Sequence, residues 1–286
     1  MKYAFIEQER ETCQVRKLCR LLQVSRSGFY DWLHRSPSLR DQENQQLVAH
    51  IKRLHTKSRA NYGIQKVWKK LNQEGIVCGR NRIATLRAQH NIYARRRRRF
   101  IITTRSRHTV GVAPNLLGRQ FQVAQPNRVW VGDVTFIATR KGWLFLAVMI
   151  DLFSRKVVGW AMSNKNNKQL VMDCLLMGIH RRNPPPGLIH HTDRGVTYSA
   201  DETRQLLARH EMIASMSRKG DCWDNAVAES FFGQLKNELV CGHVFNTIED
   251  GKSALFDYIE VFYNRQRIHQ TLGYVTPEQF EMNAVA

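Results

Sequence analysis

The apolar run at residues 143–150 is the feature that most restricts how this chain can fold. A strand that is apolar at every position is buried on both faces, so it lies inside a sheet that is covered on each side. Strand-forming residues precede the run at 128–138, across a turn at 139–142, and follow it at 156–162. The sequence therefore predicts an antiparallel meander of three strands with helices packed on its faces.

Helical and strand patterns alternate after the meander, and prolines at 184–186 separate the first helix from the next strand. The patterns predict helix at about 167–180, strand at 187–193, helix at 201–209, strand at 212–216, helix at 224–239 and further helix at 248–263. This order predicts an α/β fold with a mixed sheet.

The first third of the chain has helical periodicity instead. Segment 15–35 has the pattern of two short helices joined by a tight turn, with Ser25 as the N-cap of the second. This is a helix-turn-helix shape, in which Arg26 starts the recognition helix and reaches base edges or phosphates. The same pattern also fits two helices that only pack together.

Three more helices are predicted between residues 41 and 92, and they carry a cluster of cations. The cluster contains Lys66, Lys69, Lys70, Arg80, Arg82 and Arg87. We interpret this segment as a second small DNA-binding unit.

The charge of the chain is divided unevenly between its two halves. Residues 1–120 contain 26 Lys+Arg against 7 Asp+Glu, whereas residues 121–286 contain 18 against 17, within a total net charge of +20. A basic half usually binds nucleic acid, although it can also be merely a soluble basic surface. The second half has its acidic residues available for other uses.

Five consecutive arginines follow the basic helices, namely Arg95, Arg96, Arg97, Arg98 and Arg99. Like charges repel and nothing apolar is buried, so such a run does not fold on itself. It is predicted to be an arm along the DNA backbone or minor groove, with a solvated linker as the alternative. The chain is therefore predicted to consist of a helix-turn-helix-like segment at 1–40, a basic helical DNA-binding domain at 41–100, a linker at 101–125 and a catalytic domain at 126–284.

Several classes of protein are excluded by composition. No apolar stretch approaches the roughly 18–20 residues of a membrane helix, and the charged N-terminus does not resemble a signal peptide. The six cysteines form no Cys-x-x-Cys pair, which favours reduced thiols over a zinc site. A cytoplasmic protein is expected.

Three acidic residues from different elements could form a metal site. Asp133 lies inside the first strand, Asp193 ends the fourth, and Glu229 lies on the helix at 224–239. Phosphodiester cleavage develops charge on two oxygens, which two Mg²⁺ ions held by carboxylates can stabilise. The spacing alone is weak evidence, because the second half contains 17 acidic residues and many triples could be drawn.

Longer motifs around these acids are more specific. The blocks VWVGDVTFI (129–137), HHTDRGVTY (190–198) and GDCWDNAVAESFFGQLKNE (220–238) closely resemble those of the DDE transposases of the insertion-sequence family numbered three. The 35 residues between Asp193 and Glu229, and a lysine seven residues beyond Glu229, match that family. The similarity extends to YGIQKVWKKL (62–71) and YNRQRIHQTLGYVTPEQF (263–280), and so covers nearly the whole chain.

The resemblance implies an RNase H-like, retroviral-integrase-like catalytic core, a mixed five-stranded sheet with helices on both faces, preceded by helix-turn-helix-type units. It implies that Asp133, Asp193 and Glu229 are catalytic and hold two Mg²⁺ ions, for which Mn²⁺ substitutes, and that Lys236 approaches the DNA backbone. It also implies a second-frame (orf B) product, which can act as a fusion with the first-frame (orf A) product. Binding of element ends and target DNA, a homo-oligomer in the DNA complex and association with the nucleoid are expected.

Three further acids lie close to these blocks and have competing interpretations. Asp151 ends the second strand and is better explained as a turn or ion-pair acid than as another metal ligand. Asp221 and Asp224 flank the helix of Glu229, and helix capping is the better explanation for Asp224.

Other side chains also have two interpretations. Asn225 shares a helical face with Glu229 and could hold a water or DNA, and His191 could support Asp193, contact DNA or make a core hydrogen bond. The pair at 194–195 is expected to form a turn. Trp143 and Trp160 are expected to be core residues.

These expectations together predict a transposase that hydrolyses phosphodiesters and transfers strands, which amounts to DNA integration and recombination. A plain RNase H-like nuclease and a DNA-binding regulator with an inactive catalytic fold are the two rival functions. The basic helical units argue against the nuclease, and the complete acidic triad argues against the regulator.

Overall fold

The computed structural model describes residues 2–95, 113–195, 197–198, 200–218, 222–241 and 243–285, without the side chains of Cys222, Trp223 and Val285. Five strands form the sheet: β1 Val129–Thr139, β2 Gly142–Asp151, β3 Val157–Ser163, β4 Ile189–Thr192 and β5 Ile213–Met216. The first six α-helices precede it: α1 Lys2–Glu9, α2 Val15–Leu21, α3 Arg26–His34, α4 Leu39–Lys57, α5 Ile64–Gln73 and α6 Arg80–Gln89. The others are α7 Lys168–Arg182, α8 Asp201–Arg209, α9 Ala226–Leu235, α10 Ile248–Phe256 and α11 Pro277–Val285.

Two of the predicted long helices change their winding. The first consists of a 3-10 turn at Cys222–Asn225, then α9, then a π-helical turn at Lys236–Val240. The second consists of α10 and a π-helical segment at Asp257–Tyr263. Helix was predicted at these positions, but side-chain periodicity does not distinguish the wider π turns.

The sheet has the strand order β3-β2-β1-β4-β5. β1, β2 and β3 form the predicted antiparallel meander, while β4 and β5 run parallel to β1. The mixed five-stranded sheet predicted from the sequence is therefore confirmed. β1 lies at its centre: β2 pairs with residues 130–139 of β1, whereas β4 pairs only with Val129–Val131.

Helices cover the two faces of the sheet, as the apolar β2 requires. One face packs against α9, α10 and the segment that follows α10, through residues such as Leu146, Val148 and Phe231. The other face packs against α7 and α8, through residues such as Ala147 and Met149. Alternate residues of β2 thus enter two separate cores.

Gly159 explains how closely α7 approaches the sheet. A Cβ at this position would collide with the carbonyl oxygen of Cys174 and would lie 2.9 Å from the backbone nitrogen of Gly178. Both atoms belong to the α7 backbone, which cannot move aside as a flexible side chain can. The glycine in KVVGWAM is therefore required for helix-to-sheet packing.

The first three helices form a small unit with its own core of Ile6, Leu18, Cys19 and Phe29. Ser25 caps α3 as predicted, because its Oγ accepts a hydrogen bond from the Gly28 N–H at 3.0 Å. Helix α1 was not predicted. Only Ile6 of that helix is buried, so its sequence carries no clear apolar stripe.

Helices α4, α5 and α6 form a second unit, which is docked on the C-terminal part of the chain. Ile268 is fully buried within the core of this unit. The Tyr62 hydroxyl donates to the Gln266 carbonyl at 3.0 Å and accepts from the Ile268 N–H at 2.9 Å. The basic helices are thus fixed to the α/β part by residues about 200 positions away in sequence.

The described part of the predicted linker, 113–125, has no helix or strand but is packed against the sheet. Leu117 is buried in the main core, and Phe121 and Val123 pack against it. The domain boundaries remain predictions. Among the described helices, none has the length and apolar character needed to cross a membrane, and the five cysteines whose side chains are described are free thiols.

The two tryptophans expected in the core differ from that expectation. Trp143 is 52% exposed at the start of β2, so the core prediction for it is wrong. Trp160 is only partly buried and donates its indole N–H to Glu260 Oε1 at 2.7 Å. The sequence does not show where the covering helices end. It therefore cannot distinguish an exposed residue at the end of an apolar run from a buried one.

Candidate active site

Asp133 lies in the middle of the central strand, opposite Val148 of β2. Its Oδ1 accepts a hydrogen bond from the Val134 N–H at 2.7 Å. Burial and the charges of Asp193 and Glu229 together raise the pKa of Asp133 to about 8, while the Val134 N–H and Lys236 act in the opposite direction. Asp193, Glu229 and Lys236, which were predicted to share a site, therefore all influence the carboxyl group of Asp133.

Asp193 follows directly after β4, the parallel neighbour of β1. The pairing of Val131 with His191 places Asp193 beside Asp133. Its Oδ1 accepts from the Gly195 N–H at 2.9 Å, and burial raises its pKa. Arg194 lies at a bend and donates through Nε to the Ser217 carbonyl at 2.7 Å.

Glu229 is presented by α9 above the sheet. Its neighbours Ala228, Phe231 and Phe232 are buried, while Glu229 itself lies on the exposed side of the helix. Burial raises the pKa of Glu229. Its charge affects Asp133 less than that of Asp193 does. Glu229 is the least tightly held of the three acids.

A ligand set for a metal ion is not preassembled in the described part of the chain, where no three His, Cys, Asp or Glu side chains come together around one point. The chemistry of Asp133, Asp193 and Glu229 nevertheless fits Mg²⁺, since all three are hard oxygen donors, and burial raises the pKa of each.

Lys236 reaches the same region from the π-helical turn after α9. Its Nζ lies 5.3 Å from the centroid of the Phe136 ring on β1. Burial lowers the pKa of Lys236, while the charge of Asp133 opposes that change. An ammonium group thus lies close to the carboxylate cluster.

Asp224 does not cap the helix, and the capping interpretation is wrong. The carboxylate is fully buried and accepts hydrogen bonds from Asn115 at 2.8 Å, from Arg119 at 3.0 Å and from the Arg218 backbone and guanidinium. These cations hold its pKa well below the usual range. Asp224 therefore ties segment 113–119 to the loop between β5 and α9.

Asn225 and His191 have structural partners. Asn225 Nδ2 donates to the Gly132 carbonyl at 3.2 Å, which fixes the start of α9 against β1. His191 is fully buried, with Nδ1 2.9 Å from Ser215 Oγ and Nε2 3.1 Å from the Asp224 carbonyl. The core hydrogen-bond interpretation of His191 is confirmed, and its burial excludes a direct DNA contact. Asn225 thus contacts the strand of Asp133 through the backbone carbonyl of Gly132.

Asp151 is a turn and ion-pair acid, as predicted. It accepts from the Asn127 N–H at 2.7 Å and the Phe153 N–H at 2.9 Å, and Arg182 lies 3.7 Å away. Asp221 lies outside the described residues.

The predicted DNA-binding arginines are described only in part. Arg26 is exposed at the first position of α3, with its guanidinium 5.7 Å from the Tyr30 ring. Arg95 donates through NH1 to the Glu238 carbonyl at 3.0 Å, which attaches the start of the arginine run to the end of the α9 region. Arg96, Arg97, Arg98 and Arg99 lie outside the described residues.

Three residues around the site were not singled out from the sequence: Phe136, Arg119 and Arg218. Phe136 lies three positions after Asp133 in a strand, where alternation points it to the opposite face, so the sequence pattern did not place it at the site. Arg119 and Arg218 are 99 residues apart and meet only at Asp224. Nothing local in the sequence pairs them.

The raised pKa of Asp133 gives a prediction for metal-free buffer. A carboxyl group whose folded-state pKa is about 8, against 3.8 ordinarily, makes the folded protein bind more protons between these values. Stability of the wild-type chain should therefore fall as pH rises through this window. Asp133→Asn cannot ionise, so its melting temperature should exceed that of wild type at pH 8–9, with the difference shrinking towards pH 4.

The matched control is Asp173→Asn, which changes an exposed aspartate on α7. Thermal melts of all three proteins at several pH values measure the effect. A difference between Asp133→Asn and wild type that stays constant from pH 5 to pH 9 would contradict the assignment.

Family models match most of the chain. An integrase core domain model matches residues 123–222, a second integrase core domain model matches residues 229–284, and an HTH-like domain model matches residues 42–100. The first two cover the sheet, α9 and the helices that follow. The third covers α4, α5 and α6.

Relatives align over nearly the full length. The 31 kDa protein of insertion element IS600 from Shigella sonnei is 42% identical over 263 residues, covering 92% of this chain and 97% of that protein. Transposase InsF of insertion sequence IS3A from Escherichia coli (strain K12) is 39% identical over 288 residues, covering 100% of both.

Solved integrase structures are more distant. The catalytic core domain of HTLV-2 integrase in complex with magnesium is 21% identical, covers 55% of this chain and 97% of that chain, and has a TM-score of 0.42. A simian T-cell lymphotropic virus intasome structure is 17% identical, covers 80% of this chain and 73% of that chain, and has a TM-score of 0.46.

Proposed function

Because this chain belongs to the IS3 family of insertion-sequence transposases, we propose that it cuts and joins DNA at a two-metal site formed by Asp133, Asp193 and Glu229. The family makes it a DDE-type polynucleotidyl transferase with an integrase core and an HTH-like domain. We assign here the residues that hold the metal ions, the number of those ions and the order of the reaction steps.

One observation carries this proposal. Asp133 lies on the central strand, and its ionisation is opposed both by Asp193 from the neighbouring strand end and by Glu229 from α9. Two carboxylates from other elements thus act on Asp133, and the three together form a region that attracts cations. Buried carboxylates with raised pKa values are typical of sites that perform chemistry.

Asp133 and Asp193 would hold Mg²⁺ through carboxylate oxygens, with Glu229 added from the helix. When bound, two such ions would lower the pKa of the attacking hydroxyl and neutralise the leaving oxygen. The chain aligns the DNA for two successive attacks, first by water to free a 3′-OH and then by that 3′-OH on another phosphodiester. We assign no covalent bond between protein and DNA, because water and then the 3′-OH serve as the nucleophiles.

Lys236 is assigned to the DNA backbone. An ammonium group cannot ligate Mg²⁺, but it can pair with a phosphate as a point charge. Lys236→Ala should therefore lower DNA affinity and end-joining at limiting DNA while leaving metal binding unchanged. Lys252→Ala is the control, because that lysine pairs with Glu249 on the exposed side of α10. Unchanged joining by Lys236→Ala at limiting DNA would contradict this role.

The arginine run is proposed to bind phosphates as an arm. Replacing Arg96–Arg99 by alanine keeps the Arg95 contact with Glu238 and removes four charges. DNA affinity should fall for every sequence, and the slope of log affinity against log salt should flatten by about 0.9 per lost contact. Titrations at several salt concentrations measure this slope. The wild-type slope in the four-alanine variant would mean that the run is only a linker.

Joining two DNA ends requires both to be held at once, so we propose a homo-oligomer in the DNA complex. Either the chain alone or its fusion with a first-frame product is the active form. Comparing the two proteins in one joining assay identifies which.

A joining assay tests the proposal. The chain is incubated with labelled element ends and target DNA in Mg²⁺, Mn²⁺ or Ca²⁺. Mg²⁺ and Mn²⁺ should yield joined products, whereas Ca²⁺ should support binding with little turnover because its coordination is looser. A protein that only cuts would be the rival nuclease, and a protein that only binds would be the rival regulator.

A further inference from the structure

We propose that Phe136 and Trp143 form a stacking platform for an unpaired base of the DNA substrate, beside the carboxylate cluster. This inference rests on the proposed function and adds a contact to the same site. Both residues belong to the hairpin formed by β1 and β2.

The two aromatic rings are exposed and fixed relative to each other. Trp143 is 52% exposed and Phe136 is 43% exposed. Their centroids are 5.1 Å apart and their planes are at 88°, which forms a corner with one ring face and one ring edge. In the strand register Trp143 pairs with Ala138, so Phe136 is its diagonal neighbour on the same face of the sheet.

The platform lies close to the proposed reaction centre. Phe136 follows Asp133 by three residues in the same strand, which corresponds to about 10 Å. This odd separation puts the two side chains on opposite faces of β1, and the edge of β1 beyond Val131 is not paired with β4. The Lys236 ammonium connects the two places, because it lies 5.3 Å from the Phe136 ring and within the electrostatic influence of Asp133. A nucleotide next to the reacting phosphate can therefore reach the rings.

The combination of groups matches a nucleotide in particular. A flat base stacks on an aromatic face, and a phosphate pairs with an ammonium group, so Trp143, Phe136 and Lys236 supply a partner for each part. A second copy of the chain would cover the Lys236 ammonium with protein, which costs free energy unless an acid accompanies it. An unpaired base can turn its face onto a ring, whereas bases inside the duplex are stacked on both sides, so the platform favours DNA whose end is unpaired.

The test compares two DNA ends that differ only in pairing. The full chain is titrated in Ca²⁺ with a fully paired end and with the same end carrying three mismatched terminal bases. Wild type should bind the mismatched end about tenfold more tightly, given the strength of base–aromatic stacking. Trp143→Ala and Phe136→Ala should bind both ends alike, and Trp143→Phe should keep part of the preference.

The control is Phe256→Ala, which removes an aromatic ring that is 49% exposed on α10 and contacts Trp160. It should keep the wild-type preference. Equal affinity of wild type for the two ends would overturn the platform while leaving the proposed function intact, since affinity for the paired end is measured separately. A chain that binds neither end would contradict both.

The remaining possibility is that the two rings contact a second copy of the chain, and measuring the oligomeric mass tests it. Wild type and Trp143→Ala should have the same mass by sedimentation without DNA. A smaller mass for Trp143→Ala would mean that the rings contact a second copy of the chain, and the DNA platform would be wrong.

Discussion

Replacing Asp133 by asparagine is expected to abolish both DNA cleavage and DNA joining, and Asp193→Asn and Glu229→Gln should have the same effect. Each change keeps the shape of the side chain but removes the charge that gathers divalent ions. Residues that act as a unit are strongly non-additive, so any single change should cost on the order of 10⁴-fold in rate. Cleavage and joining rates with labelled ends in Mg²⁺ measure the loss.

Binding separates this effect from misfolding. The three variants should bind element ends as wild type does, because that free energy comes from the basic first half of the chain. Asp173→Asn, on the exposed side of α7, should cut and join normally. Normal turnover by Asp133→Asn or Asp193→Asn would remove that acid from the site.

Breaking the buried pair of Arg267 and Glu238 should greatly lower the free energy of unfolding. Arg267 donates through Nε and NH2 to both oxygens of Glu238 at 2.8–3.1 Å, and the Tyr258 hydroxyl donates to Glu238 Oε2 at 2.9 Å. The carboxylate raises the pKa of Arg267. Arg267→Met leaves Glu238 buried without a counter-charge, so the free energy of unfolding should fall by about 3–5 kcal/mol.

Urea denaturation measures this loss, and two further variants define its origin. Arg204→Met, in an exposed pair with Asp201, should change stability by less than about 1 kcal/mol. Combining Arg267→Met with Glu238→Leu removes both charges and should recover much of the loss. A loss below about 1 kcal/mol for Arg267→Met would show that solvent reaches Glu238.

The sequence predicted the elements that local patterns specify. The apolar β2, the flanking strands and the position of Asp193 after β4 follow from apolar runs and strand-forming residues in the local sequence and are confirmed. Helix α3 and its cap at Ser25 were predicted because a cap involves neighbours in the chain. The family resemblance is also confirmed, since it rests on long blocks rather than on single residues.

Contacts between distant residues were not predictable in this way. Asp224 was assigned to a cap because it precedes a helix, whereas its partners are Arg218 and Arg119. Ile268 completes the core of helices α4, α5 and α6, although the sequence between them includes the entire sheet. Trp143 looked like core because its neighbours are core. In each case the deciding contact depends on how the elements pack.

If the three carboxylates carry out the joining step together, the loss of Glu229, the least tightly held of them, should abolish joining. Joining of pre-cut ends in Mg²⁺ by Glu229→Gln is therefore to be measured beside wild type. We expect Glu229→Gln to bind these ends normally and to yield no joined product. Joining at the wild-type rate would contradict the three-carboxylate site.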